Sequence, residues 1–127
     1  MDRALDGKRI LVVEDEYFIA FDLKRTLTAQ GAVVVGPVGD LTKGLLLAGE
    51  ETLDAAILDV NLRGATSYPI ADRLATEEVP YLFLTGYDGW SLPASYGDRP
   101  RLAKPYSTPR LVRALELLCA ERTERPH

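Results

Sequence analysis

Five polar residues close apolar runs of the chain: Glu14 and Asp15 follow Ile10 to Val13, Asp59 follows Ala55 to Leu58, Thr85 follows Val79 to Leu84, and Lys104 follows Arg101 to Ala103. Together they offer three carboxylates, a hydroxyl and an ammonium. Carboxylates brought close repel one another unless a cation joins them, and hard oxygen ligands with room for water suit Mg²⁺. Such an ion can clamp an incoming phosphoryl oxygen while one carboxylate attacks in line, and a hydroxyl and an ammonium hold the other equatorial oxygens. Asp59 is the expected nucleophile, because it ends an apolar strand that fixes it on the floor of a crevice. Glu14 and Asp15 enter as metal ligands, and the backbone carbonyl of Asn61, two residues past Asp59, is placed to complete the coordination. A lone Asp at a strand end is usually a turn or cap residue; its combination with the other four sets this one apart. Glu16 reads as a first-turn helix acid and stays outside the site.

These groups converge only if the fold brings strand ends together. Ile10 to Val13 is rich in β-branched residues and is followed by Ile19, Leu23 and Leu27 at helical spacing, until Gly31 stops the pattern. The alternation repeats, with Ala32 to Val35 and Ala55 to Leu58 as strands, Leu41, Leu45 and Ala48 on one helix face, and Ile70 and Leu74 on another. Val79 to Leu84 reads as the fourth strand and Arg101 to Ala103 as a short fifth. Thr108 or Ser107 caps a last helix, with Pro109 near its start and Leu111, Leu115 and Leu118 facing the core. Strands apolar on both faces and separated by helices predict a parallel sheet covered on both sides. The fold class is α/β, doubly wound and five-stranded: either flavodoxin-like, with order 2-1-3-4-5, or half of a dinucleotide-binding fold. The turn Val13-Glu14-Asp15-Glu16 decides for the first, since it carries acids where a pyrophosphate would need glycines. Helix four is expected to be short or broken, because Asp88 to Pro100 contains Gly89, Pro93, Gly97 and Pro100.

A chain of 127 residues, 46% of them hydrophobic, is expected to form one domain with a core over 8–120. Its formal charge of -4, without a long run of either sign, argues against nucleic acid as a partner. Cys119 is alone, which excludes an internal disulfide and suggests a buried structural thiol in a reducing compartment. Met1 to Lys8 lacks an apolar leader core, and no stretch reaches the roughly 20 apolar residues of a membrane span, so a cytoplasmic location is expected. The tail from Glu121 to His127 is expected to fray. His127, the only histidine, lies in that tail, so a donor histidine would come from a partner.

The pair Glu14-Asp15, the run Leu58-Asp59-Val60-Asn61-Leu62, Thr85-Gly86 and Lys104-Pro105 resemble, in this order, the motifs of response regulator receiver domains of two-component systems. The resemblance implies that Asp59 is the phosphoacceptor, that Glu14 and Asp15 bind Mg²⁺, that Thr85 and Lys104 contact the phosphoryl group, and that the Lys104-Pro105 bond is cis. It implies a signalling phosphoacceptor that catalyses its own phosphorylation from phosphohistidine and slowly hydrolyses the product, with a sensor histidine kinase or histidine phosphotransferase and a downstream protein as partners. The run Pro80 to Tyr87 looks like atypical receivers with a Pro-Phe-x-Phe-Ala-Thr-Gly-x-Tyr-like segment, from which Tyr81 and Leu84 depart. Arg101 stands three residues before the lysine, where most receivers carry an aromatic switch residue. Tyr87 is its expected substitute, with Arg101 and Pro105 beside it, and the signalling surface is expected over 86–106. Trp90 reads as a contact patch or as a ring packed back on the sheet. No output domain is expected, which suggests a stand-alone regulator. The alternative is an unphosphorylated interaction module, whose sign would be loss of an acid, the Asp or the Lys. A phosphohydrolase is disfavoured because Asn61 stands where a second acid would serve.

Overall fold

Parallel pairing of the apolar runs builds the sheet in the computed structural model, which describes residues 3–86, 92–96 and 98–124. Among the described residues the strands are β1 (Arg9–Val13), β2 (Val33–Val38), β3 (Ala55–Asp59), β6 (Tyr81–Thr85) and β7 (Arg101–Ala103), ordered β2-β1-β3-β6-β7. This is the expected flavodoxin-like order. Register fixes the site: Val13 pairs with Leu58, Asp59 with Leu84 and Thr85 with Ala103, so the polar residues emerge at one edge of the sheet.

Strand residues alternate between two packed layers. Ile10, Val12, Ile57, Leu82 and Leu84 meet Leu23 and Leu27 of α1 (Tyr17–Ala29) and Leu111, Leu115 and Leu118 of α4 (Thr108–Glu124). Leu11, Val13, Leu58 and Phe83 meet Ala48 of α2 (Leu41–Glu50) and Ile70 and Leu74 of α3 (Tyr68–Thr76). Each fully buried Leu, Ile or Phe contributes about 1.5–3 kcal/mol, so these layers hold the strand ends in place. Helices α2 and α3 approach closely through Gly44, where a Cβ would collide with the terminal methyl of Ile70. Among the described residues no helix is long and apolar enough to cross a membrane.

Several boundaries differ from those predicted. Strand β2 begins at Val33 and runs through Pro37, which is tolerated because β2 is an edge strand and its register slips between Leu11 and Val13. Strand β6 starts only after Pro80. A small hairpin, β4 (Asn61–Leu62) with β5 (Ala65–Thr66), follows Asp59 and was not anticipated; Gly64, at φ +71, supplies its tight turn. Ser107 Oγ accepts from Arg110 N at 3.3 Å and opens α4. The tail does not fray at Glu121: α4 continues to Glu124, with Glu121 3.8 Å from Arg99 and Arg122 Nε donating to the Leu53 carbonyl at 3.4 Å.

The segment expected to hold a short or broken fourth helix is described only in part, since 87–91 and 97 lie outside the described residues. Among the described residues between β6 and β7 there is one 3-10 turn, Ala94–Tyr96. Tyr87 and Trp90 lie outside the described residues.

Candidate functional site

Glu14 and Asp15 leave β1 at a point fixed by two contacts. Glu14 N donates to the Val38 carbonyl at 2.9 Å, and Gly39 lies so close that a Cβ there would stand 3.2 Å from the Asp15 Cα. The Glu14 side chain is buried; its Oε2 accepts from Glu16 N at 3.0 Å. Glu16 itself is exposed and stands at the N-cap of α1, one residue before the first turn where an acid was expected. Asp59 ends β3 with 7% of its surface exposed. Glu14, Asp15 and Asp59 each offer a carboxylate oxygen, all within 4.8 Å of one another.

Lys104 Nζ reaches into this cluster, 3.0 Å from Glu14 Oε1 and 3.3 Å from Asp59 Oδ2. The first of these is an ion pair with a buried oxygen. Burial, with the Glu14 charge beside it, pushes the Asp59 carboxyl up to about 7, and Lys104 only partly offsets this. Burial alone would lower the Lys104 ammonium, but contact with Glu14 and Asp59 outweighs it and the group lies above its ordinary value. Three carboxylates close to one another, all hard oxygen donors, fit a hard divalent cation such as Mg²⁺.

Thr85 is brought to the same edge but turned aside: its hydroxyl donates to the Leu102 carbonyl at 3.4 Å. Asn61 begins β4, side chain exposed, paired with Thr66. Arg101 is exposed on β7, in register with Phe83, and the Lys104-Pro105 bond is cis. The structure thus brings together Glu14, Asp15, Asp59 and Lys104, with Thr85 at their side.

Two features escaped sequence reasoning. Tyr17, Phe18 and Phe21 expose 73%, 79% and 57% of their surface on α1, and their rings contact one another beside the acids. A groove of about 590 Å³ runs from Phe18 and Ile19 past Asp22 to Lys104, Pro105 and Tyr106. The signal was present, since these aromatics fall off the Ile19, Leu23, Leu27 face. Tyr96 is the second: it stacks on Tyr68 at 4.8 Å and meets the Phe83 ring edge-on at 5.8 Å.

Comparison with known proteins agrees with this geometry. The profile of the response regulator receiver domain matches residues 10–116. The transcriptional regulatory protein PdtaR of Mycobacterium tuberculosis is 31% identical over 87% of this chain and 56% of its own length, so the chain spans about half of that relative. The solution structure of SdrG from Sphingomonas melonis Fr1 is 40% identical, with a TM-score of 0.78 over 91% of this chain and 97% of that one. The receiver domain of sensor histidine kinase PA1611 from Pseudomonas aeruginosa, with magnesium coordinated in its active-site cleft, has the same fold at 24% identity, with a TM-score of 0.79 over 90% of this chain and 98% of that one. With its strand order, its acidic cluster and a profile match over most of its length, this chain belongs to the response regulator receiver domain family.

Proposed function

We propose that this receiver accepts a phosphoryl group on Asp59 from a phosphohistidine donor, with Mg²⁺ held by Asp15, Glu14, Asp59 and the Asn61 carbonyl. The observation that carries the reading is the placement of Lys104 Nζ within 3.3 Å of both buried carboxylates, inside a cluster of three acids. Bound Mg²⁺ supplies the positive charge that gathers phosphoryl oxygens and offsets the repulsion among the acids.

The chain's own residues do the rest. An Asp59 oxygen attacks phosphorus; the new O–P bond forms as the donor's N–P bond breaks, and the electron pair leaves with the imidazole, which takes up a proton. Strand β3 aims the carboxylate, because Asp59 is fixed by its pairing with Leu84 and by buried Leu58 before it. Lys104 holds one equatorial oxygen, and Thr85 turns from Leu102 to hold another. Dephosphorylation by water is slow for want of a second acid at position 61.

The phosphohistidine arrives across α1, where Tyr17, Phe18 and Phe21 offer an apolar aromatic face bordering the acids. The domain works in the cytoplasm on a downstream protein partner. Resemblance of Pro80 to Tyr87 to the atypical receivers supports a response over 86–106, with Tyr87, Arg101 and Pro105 taking part in it.

Intact-mass measurement with acetyl phosphate tests the core of this reading. The expected result is a Mg²⁺-dependent phosphoryl adduct on the wild type that Asp59→Asn abolishes; an adduct that survives the substitution, or none in the wild type, overturns it.

A further inference from the structure

Alternate residues of β6 form a row on the α3 side of the sheet: Tyr81, Phe83 and, at the site, Thr85. The segment leading into β7 is fastened along this row. The Arg99 guanidinium lies 5.3 Å from the Tyr81 ring centroid. Tyr96 sits edge-on to Phe83 and stacked on Tyr68, and its hydroxyl donates to Asp72 Oδ1 of α3 at 2.7 Å. Burial and that hydrogen bond hold the Tyr96 hydroxyl near 12, so it remains a donor throughout the physiological range. Further along, Phe83 N donates to the Pro100 carbonyl at 3.0 Å, the Thr85 hydroxyl to the Leu102 carbonyl at 3.4 Å, and Lys104 N to the Thr85 carbonyl at 2.8 Å. One short stretch of chain therefore carries an aromatic anchor at one end and a phosphoryl-binding lysine at the other, and the Thr85 hydroxyl is one of the few bonds between them.

We propose that Tyr96 is the latch through which the state of the site is read: it clamps this stretch to β6 and α3 in the resting chain, and the clamp loosens when Thr85 turns away from Leu102. The inference rests on the phosphoryl-accepting reading above. Its physical basis is that β7 has only three residues, two of them exposed, and that the Thr85 hydroxyl adds a side-chain bond to the backbone ladder with β6, so losing that bond weakens the hold on the stretch. The Tyr96 contacts then carry more of the hold on the stretch, beside the backbone ladder to β6 and the contacts of Arg99. Tyr96 does for this chain what the exposed Arg101 is not built to do: it joins an aromatic ring on the mobile side to the strand that ends in Thr85. The ring touches Tyr68 and Phe83, so release uncovers both to a partner.

The test uses the full chain and two variants, Tyr96→Phe, which keeps the ring and loses the hydroxyl, and Asp72→Ala, which removes the acceptor at an exposed helical position and favours the helix. Amide exchange in peptides covering 92–103 is followed with Mg²⁺ and increasing beryllofluoride. Beryllofluoride is expected to raise exchange there in the wild type. Both variants are expected to show exchange raised about three- to ten-fold without it, the loss of one hydrogen bond, and by reciprocity to half-saturate at a beryllofluoride concentration lower by a similar factor. Raised exchange with unchanged or weaker half-saturation assigns Tyr96 a merely structural role and overturns the inference. Saturation of the wild type with no change over 92–103 overturns it too, leaving the phosphoryl-accepting reading intact. A wild type that does not bind beryllofluoride at all overturns both.

Discussion

On the β1–β3 side of the sheet, every residue of Ile10–Val13 and Ala55–Asp59 is buried between helices on both faces, whereas on the other side β7 leaves Arg101 and Ala103 exposed. The acids Glu14, Asp15 and Asp59 belong to the first region, and Lys104 and the bond that Thr85 makes to Leu102 belong to the second. Groups that fix a cation and a nucleophile gain from immobility, since small misplacement is costly in rate. Groups that report occupancy gain from an element held by few contacts. The proposed function matches this division of the sheet: the packed half would fix the cation and the nucleophile, and the half with the exposed short strand would report occupancy.

Truncation in the two halves should separate them most widely. Ile57→Ala is expected to cost about 3–4 kcal/mol and Leu102→Ala, only half-buried, about 1 kcal/mol, measured by urea unfolding. Equal costs would remove the distinction.

Next in size is the electrostatic strain on the packed half. The Asp59 carboxyl is raised from 3.8 to about 7, so the folded chain binds the proton more tightly than the unfolded chain. The sign follows: this group's share of stability is present below its unfolded value and is lost as pH rises toward 7. Without metal, Asp59→Asn is therefore expected to flatten the fall in stability between pH 4 and 7 and to stabilise the fold by about 2 kcal/mol above it, read from Tm against pH. A variant less stable than the wild type at pH 8 would show that the Lys104 contact outweighs the strain.

The aromatic face of α1 should act on the donor alone. Phe18→Ala is expected to slow transfer from a protein phosphohistidine about ten-fold, a loss of about 1.4 kcal/mol typical of an exposed aromatic anchor, and to leave acetyl phosphate labelling unchanged. Equal slowing of both reactions would place Phe18 in the site itself. The smallest effect belongs to the cap of α4, which carries the chain away from Lys104: Ser107→Ala is expected to cost about 0.5–1 kcal/mol in unfolding experiments and to leave phosphorylation unaltered.

The sequence was most legible where burial is complete. Continuous apolar runs such as Ile10 to Val13 and Ala55 to Leu58, set between helical patterns, read as strands buried on both faces, and Glu14, Asp15 and Asp59 stand at their ends; Lys104 follows the shorter, half-exposed Arg101–Ala103. Edges were less legible. Pro37 lies inside β2 because an edge strand forgives a missing donor, and the β4–β5 hairpin is too short to leave a periodic signal. Tyr96 was hidden for another reason: its role depends on Tyr68, Asp72 and Phe83, residues brought beside it only by the packing of α3 on β6. The glycines and prolines around it argue against a long helix and say nothing of these contacts.

Among three neighbouring acids, Asp59 is the one proposed to carry the phosphoryl group. Borohydride reduction converts an acyl phosphate to the corresponding alcohol, so tandem mass spectrometry of the reduced, acetyl phosphate-treated protein reads the acceptor directly. The expected result is homoserine at position 59, formed only when Mg²⁺ is present during labelling; reduction at Glu14 or Asp15, or an unreduced Asp59 in protein that carries the phosphoryl mass, would contradict it.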